Sequence, residues 1–166
     1  FEPSSDPQPI SGIFVEIHTD EGITGMYGSL YGHQAFLIDT ELKPFLIGRD
    51  ALATELLSDL MLRVDRHGRS GMFMNAISAI DCALWDLKGK AWNLPVYRLL
   101  GGPTRKEVPA YASMLGFSIE PQSAAQVAEE YKELGYTAQK WFMRYGPAHG
   151  AEGKQKNLAM AYAVRE

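Results

Sequence analysis

A single cysteine, Cys82, stands among 166 residues, so no internal disulfide framework can form and a reducing compartment, by default the cytoplasm, is expected. Positive charge is scarce too: 16 Lys and Arg against 20 Asp and Glu leave a net charge of −4. That argues against a nucleic-acid partner, because phosphate backbones demand clustered cations. No apolar run approaches the roughly 20 residues of a membrane span, and no basic, then apolar, then small-residue order marks a signal peptide. No Gly-x-Gly-x-x-Gly opens a helix after a strand, and no phosphate-binding loop is present. The four histidines, His18, His33, His67 and His149, are too scattered for a zinc site, and Cys-x-x-Cys is missing. Apolar residues, by contrast, make up 46% of the chain against 22% charged, the balance of a sequence that builds a core.

Positions 1–9, "FEPSSDPQP", carry three prolines and two serines and suit an exposed loop. The following "ISGIFVEIHTDEGITGMYG" alternates Ile13, Val15 and Ile17 against Phe14, Glu16 and His18, turns at Asp20-Glu21-Gly22 and resumes at Ile23. This predicts a β-hairpin. Helical patterns follow over about residues 34 to 46, 51 to 64 and 72 to 92. The longest places Phe73, Ala76, Ile77, Ile80, Leu84, Leu87 and Ala91 on one stripe. Ala76, Ala79 and Ala83 keep its neighbouring surface thin for close packing. Asp86 and Lys90 stand one turn apart and predict a surface ion pair. Cys82 is expected as a small core residue, and Met72, Met74, Trp85 and Trp92 as core filling. Asp81 and Asp86 form no carboxylate pair, since five helical positions separate them by about 140°.

After about residue 106 the rhythm changes. "EVPAYASML" (107–115) reads as a strand, Pro121 opens a helix with Ala124, Val127, Ala128, Tyr131 and Leu134 on one face, and Gly135 caps it. "TAQKWFM" (137–143) reads as the next strand, with a further helix from about Lys154. Strand, helix, strand, helix at about thirty residues per unit is the cadence of a parallel α/β architecture.

The stretch "AISAIDCALWDLKGKAWNLPVYRLLGG" (76–102) resembles the signature of the mandelate racemase and muconate lactonizing branch of the enolase superfamily. Ala76, Ser78, Ala79, Asp81, Ala83, Asp86, Gly89, Lys90, Pro95, Leu99 and Gly101 fall where that family puts them. The flanks "TDEGITGMYG", "PTRKEVPAYAS" and "ELGYTAQK" agree, so the resemblance covers essentially the whole chain, as about the first half of such an enzyme. It implies an α+β capping domain over residues 1–106, its first strand missing, followed by the start of a (β/α) TIM-type barrel over residues 107–166. Barrel active sites lie at the carboxyl ends of the strands. The cap would close that mouth with two loops, one at positions 1–9 and one at "SLYGHQAF". Tyr31 and His33 on the second loop become candidates to meet a polar substrate, against the plainer alternative of packing and capping residues.

The same resemblance makes Lys140 the candidate catalytic residue. Relatives mostly end the second barrel strand in Lys-x-Lys, where one lysine abstracts the proton α to a carboxylate; here it reads Lys140-Trp141-Phe142, and phenylalanine exchanges no proton. Lys140, Phe142 and Arg144 would share one direction, with Trp141 and Met143 facing the helical shell. Arg144 and Tyr145 are candidates to bind substrate carboxylate or hydroxyls, although a solvated loop arginine is the commoner outcome. Loss of the second lysine disfavours two-sided proton transfer and favours one-sided elimination of water from a sugar acid, with Mg²⁺ stabilising the enediolate. Its three acidic ligands are expected beyond Glu166, so the chain is expected to be incomplete and inactive alone. Relatives commonly assemble into dimers or octamers, which makes a homo-oligomer the expectation. Epimerisation or cycloisomerisation in the same superfamily, and a non-catalytic module that binds a partner, are the alternatives.

Overall fold

The structure, a computed structural model, describes residues 12–165; the loop read into positions 1–9 lies outside them. The described residues divide between Arg105 and Lys106 into two compact units.

In the first unit β1 (Ile13–His18) and β2 (Thr24–Leu30) form the expected antiparallel hairpin. Gly22 supplies the positive φ of +78° that the turn requires. The Thr19 hydroxyl locks the turn, donating to the Ile23 carbonyl at 3.0 Å and accepting the Ile23 N–H at 3.1 Å. Val15 and Ile17 face the helices and Glu16 and His18 face solvent, as the period of two demands.

The helix expected over 34–46 is broken into α1 (Gly32–Leu37), a π turn (Ile38–Leu42) and α2 (Lys43–Leu46). Pro44 has no N–H to offer the Thr40 carbonyl, so an unbroken i→i−4 ladder is impossible there. The π turn carries Leu42 into the core at full burial. Then come α3 (Thr54–Val64), three residues later than the pattern suggested, and α4 (Gly71–Trp92). Asn93, in the left-handed region at φ +52°, ends α4, and the Leu94 N–H returns to the Gly89 carbonyl at 2.9 Å. A further single turn, α5 (Val96–Leu99), follows Pro95.

The core gathers Leu42, Leu57, Met61, Ala76, Ile77, Ile80 and Leu84, with Val15 and Ile17 against it. Burying each large aliphatic side chain contributes about 1.5–3 kcal/mol. Helix α4 lies close on β2 because two small residues meet: a Cβ on Gly25 would collide with the Ala83 carbonyl and the Leu87 side chain. Three expectations fail on this helix. Cys82 is exposed, two positions past Ile80 and so roughly 200° around the helix from the core stripe. Met72 and Trp92, at the two ends of α4, are also exposed rather than core filling.

The second unit pairs β3 (Ala112–Ser113) with β4 (Gln139–Lys140) in parallel. The Ala112 N–H donates to the Ala138 carbonyl and the Met114 N–H to the Lys140 carbonyl, both at 3.0 Å. The strands are far shorter than the runs 107–115 and 137–143, because each has one partner strand among the described residues and regular pairing ends where that ladder ends. Helix α6 (Pro121–Glu133) starts on its proline, buries Ala124 and Ala128, and gives way to Gly135 at φ +93°. Leu134, assigned to its apolar face, is exposed at the helix end. Helix α7 (Gly150–Ala163) begins four residues before Lys154, after a 3₁₀ turn opened by Pro147, and packs on α6. None of the described helices is long and apolar enough to cross a membrane.

Candidate active-site residues

The two faces of the β3–β4 pair differ. On one, Ala112 and Met114 are buried. Here the Gln139 amide donates to the Ala128 carbonyl of α6 at 2.7 Å, while the Trp141 indole N–H donates to Gln139 Oε1 at 2.9 Å. Gln139 and Trp141 therefore turn toward the helices. Strand alternation sends Tyr111, Ser113, Lys140 and Phe142 to the opposite face, and all four are exposed. Met143, expected under the helical shell beside Trp141, is exposed instead, at 54%.

Lys140 extends its ammonium over the Tyr111 ring, 5.3 Å from the centroid. Among the described residues it has no carboxylate partner within ion-pair distance. Arg144 is exposed, likewise without an ion pair among the described residues. Tyr145 is engaged locally. Its ring meets His149 edge to face with centroids 5.4 Å apart, and the Lys156 ammonium lies 5.4 Å above it. Its backbone is clamped by Asn157, which accepts the Tyr145 N–H at 3.3 Å and donates to its carbonyl at 2.8 Å. Tyr145 thus fastens the chain to α7.

Tyr31 and His33 belong to the first unit and stack face to face, centroids 5.6 Å apart and planes within 8°. The Tyr31 N–H donates to Gln34 Oε1 at 2.8 Å, and the Gln34 amide donates to the Asn75 carbonyl of α4 at 3.2 Å. The Gln34 side chain therefore caps the Tyr31 N–H, while the Tyr31 ring remains 73% exposed and free for contact. Lys140, Arg144 and Tyr145 lie in the second unit, where Lys140 keeps company with Tyr111 and Tyr145 with α7.

Several polar groups tie the first unit together. Lys90 contacts Asp86 at 2.6 Å, as the one-turn spacing predicts. Asp86 also accepts the Met26 N–H at 2.8 Å, and Lys90 donates to the Thr24 carbonyl at 2.9 Å, so the pair bridges α4 to β2. Burial alone would push the Asp86 carboxyl up, but the Lys90 and Met26 hydrogen bonds together hold it below the usual range. Asp81 moves the other way: burial and the nearby Glu55 charge raise it, against a hydrogen bond to Trp85. Burial, and then the Asp81 charge, push the Cys82 thiol up, which disfavours a nucleophilic thiolate. Lys88 donates to the buried Thr54 hydroxyl at 2.9 Å and lies 5.2 Å from both the Trp85 and Trp92 rings.

Tyr111 is the residue that sequence reasoning passed over. Placing the two strand candidates side by side in parallel register would have exposed it, since Ser113 pairs with Lys140 and Tyr111 is the next residue on that face.

A hairpin packed against helices, chiefly α4, then parallel strands alternating with helices, is the layout of a capped α/β barrel enzyme, and comparison with known proteins agrees. The family model described as "Mandelate racemase / muconate lactonizing enzyme, N-terminal domain" matches residues 7–101. The chain belongs to this family: its first unit is the α+β capping domain and its second the start of the (β/α) barrel. The L-rhamnonate dehydratase of Saccharopolyspora erythraea is 35% identical over 93% of this chain and 37% of its own length. The 3,6-anhydro-D-galactonate cycloisomerase from Zobellia galactanivorans is 37% identical with a TM-score of 0.74, over 91% of this chain and 42% of that one. A racemase from Streptomyces coelicolor, solved with bound magnesium, gives 28% identity and a TM-score of 0.69, over 91% of this chain and 43% of that one. The chain therefore spans about two fifths of the length of these relatives.

Magnesium in a relative raises the question of a site here. Among the described residues no group of three or more His, Cys, Asp or Glu is arranged to hold a metal ion. The described residues do not by themselves fit the cation.

Proposed function

We propose that the protein is a sugar-acid dehydratase of the enolase superfamily. The reading is carried by Lys140 on the strand face opposite α6 with Phe142, not a second lysine, two positions on. The likeness to L-rhamnonate dehydratase supports it. In this reaction the bond from the α-carbon to hydrogen breaks, the proton passes to a base, and the electron pair moves into the carboxylate to form an enediolate. As the enediolate collapses, the bond from the β-carbon to its hydroxyl breaks and that oxygen takes a proton from a general acid to leave as water, and the enol product tautomerises to a 2-keto-3-deoxy acid. Lys140 contributes a fixed positive charge beside the developing dianion or, where it reaches the α-hydrogen, takes the proton. Arg144 provides a planar donor for the substrate carboxylate, and the exposed Tyr31 and His33 contact the substrate's hydroxyls. Magnesium is the cofactor we propose, by analogy with the Streptomyces relative, and a homo-oligomer the proposed state.

The test is a panel of aldonic and aldaric acids in deuterated buffer with magnesium, using protein expressed from its complete reading frame. Formation of a 2-keto-3-deoxy acid, with kcat/KM lowered about 10²–10⁴-fold by Lys140→Ala, is the expected result. Exchange or rearrangement without loss of water would assign the protein to the epimerase and cycloisomerase chemistry represented by the Zobellia relative. No turnover of any acid would leave a binding module.

A further inference from the structure

Among the described residues the Lys140 ammonium is held by an aromatic ring and by no carboxylate. Its neighbour is the Tyr111 ring at 5.3 Å, within the distance at which a cation is attracted to an aromatic face, and among the described residues no carboxylate pairs with it. The two backbone hydrogen bonds from Ala112 and Met114 set the register, with Ser113 opposite Lys140. Tyr111, two residues before Ser113, therefore sits diagonally across the strand pair on the same face. Diagonal neighbours lie about 7–8 Å apart at the backbone, within reach of long and aromatic side chains.

A carboxylate in this position would orient the lysine at the cost of its function, because it would occupy the N–H donors and cancel the charge an anionic substrate has to meet. An aromatic face orients the cation through its quadrupole and leaves the three N–H donors free. We infer that Tyr111 is a positioning residue, whose ring fixes the Lys140 ammonium over the open face of the β3–β4 pair so that it meets the substrate carboxylate with its full charge. The inference rests on the dehydratase reading for its consequence in turnover, but the geometry can be tested without turnover.

Two variants and two measurements decide it. In the protein from its complete reading frame, the ε-CH₂ resonance of Lys140, assigned by its loss in Lys140→Arg, is expected upfield of the other lysines through the ring current of Tyr111. Tyr111→Phe keeps the ring and keeps that shift; Tyr111→Leu abolishes it. In the assay, Tyr111→Leu is expected to lower kcat about tenfold, the scale of one cation–π contact, with KM moving less than about twofold, and Tyr111→Phe to restore kcat. A Lys140 resonance at the free-lysine position in the unaltered protein overturns the inference, as does a Tyr111→Leu variant with unchanged kcat. If Lys140→Ala is fully active, the dehydratase role of the lysine fails, and the spectrum still reports whether Tyr111 holds the ammonium.

Discussion

The first unit buries large side chains and the second buries small ones. Residues 12–105 enclose Leu42, Leu57, Met61, Ile77, Ile80, Leu84 and Leu87, whereas the second unit encloses Ala112, Ala124 and Ala128 with only Met114 and Met160 as bulk. Both units leave large apolar side chains more than half exposed, among them Tyr31, Phe36 and Ile47 in the first and Val108, Tyr111, Leu115, Phe142 and Met143 in the second. Area removed from water is the main favourable term in folding, so among the described residues the first unit holds the larger share of the burial. The candidate lysine stands on the exposed face of the β3–β4 pair, beside Tyr111 and Phe142. Chemistry is commonly placed on such accessible edges and supported by a rigid scaffold elsewhere.

The sharpest way to break this contrast is to remove volume from each unit. Ile80→Ala deletes a side chain only 2% exposed at the centre of the first core, and a loss of about 3 kcal/mol is expected in denaturant unfolding. Val127→Ala in the half-buried row of α6 should cost about 1 kcal/mol. Equal losses would mean that the two regions unfold as one and that the difference in packing has no energetic meaning. Amide hydrogen exchange tests the same contrast without mutation. The Ala112 and Met114 amides, which bond across a ladder of two-residue strands, should exchange at least about tenfold faster than those in the middle of the longer β1–β2 hairpin.

How far the sequence announced this molecule follows the same divide. The hairpin and α4 were legible because their periods are long and clean, Ile13-Val15-Ile17 in one case and Ala76 to Leu87 in the other. The break at the π turn was not, since Leu42 continues the apolar spacing and only Pro44 betrays the interruption. Cys82 was misplaced because residue type suggested burial while its helical angle, the better guide, pointed to solvent. In the second unit the runs 107–115 and 137–143 were rightly placed as paired strands but overestimated in length, because an apolar strand pattern records what the residues tolerate, whereas ladder length depends on partners. The direction of Lys140, away from the helices, was legible from strand alternation. Tyr111 was not, because its relation to Lys140 arises from inter-strand register, which no single segment contains.

The smallest expected effect concerns the bridge between α4 and β2. Asp86 accepts two donors, the Lys90 ammonium and the Met26 N–H, and although burial works against its charge, those bonds leave its carboxyl depressed. A group whose folded value lies below its unfolded value contributes stability that is fully present above the unfolded value, and loses it as pH falls through the folded one. The bridge should therefore strengthen the first unit at neutral pH and fade only in acid, below about pH 4. Because the pair is partly exposed, solvent screening keeps the contribution modest. Asp86→Asn retains an oxygen for the Met26 N–H and loses the charge, so a loss of about 0.5–1 kcal/mol is expected at neutral pH, vanishing in acid. Asp86→Ala also strips the acceptor from Met26, and part of its larger loss should persist at every pH. Unfolding curves of both variants against pH separate the two contributions, and a deficit in Asp86→Asn that is the same at pH 3 and pH 7 would show that the charge contributes nothing.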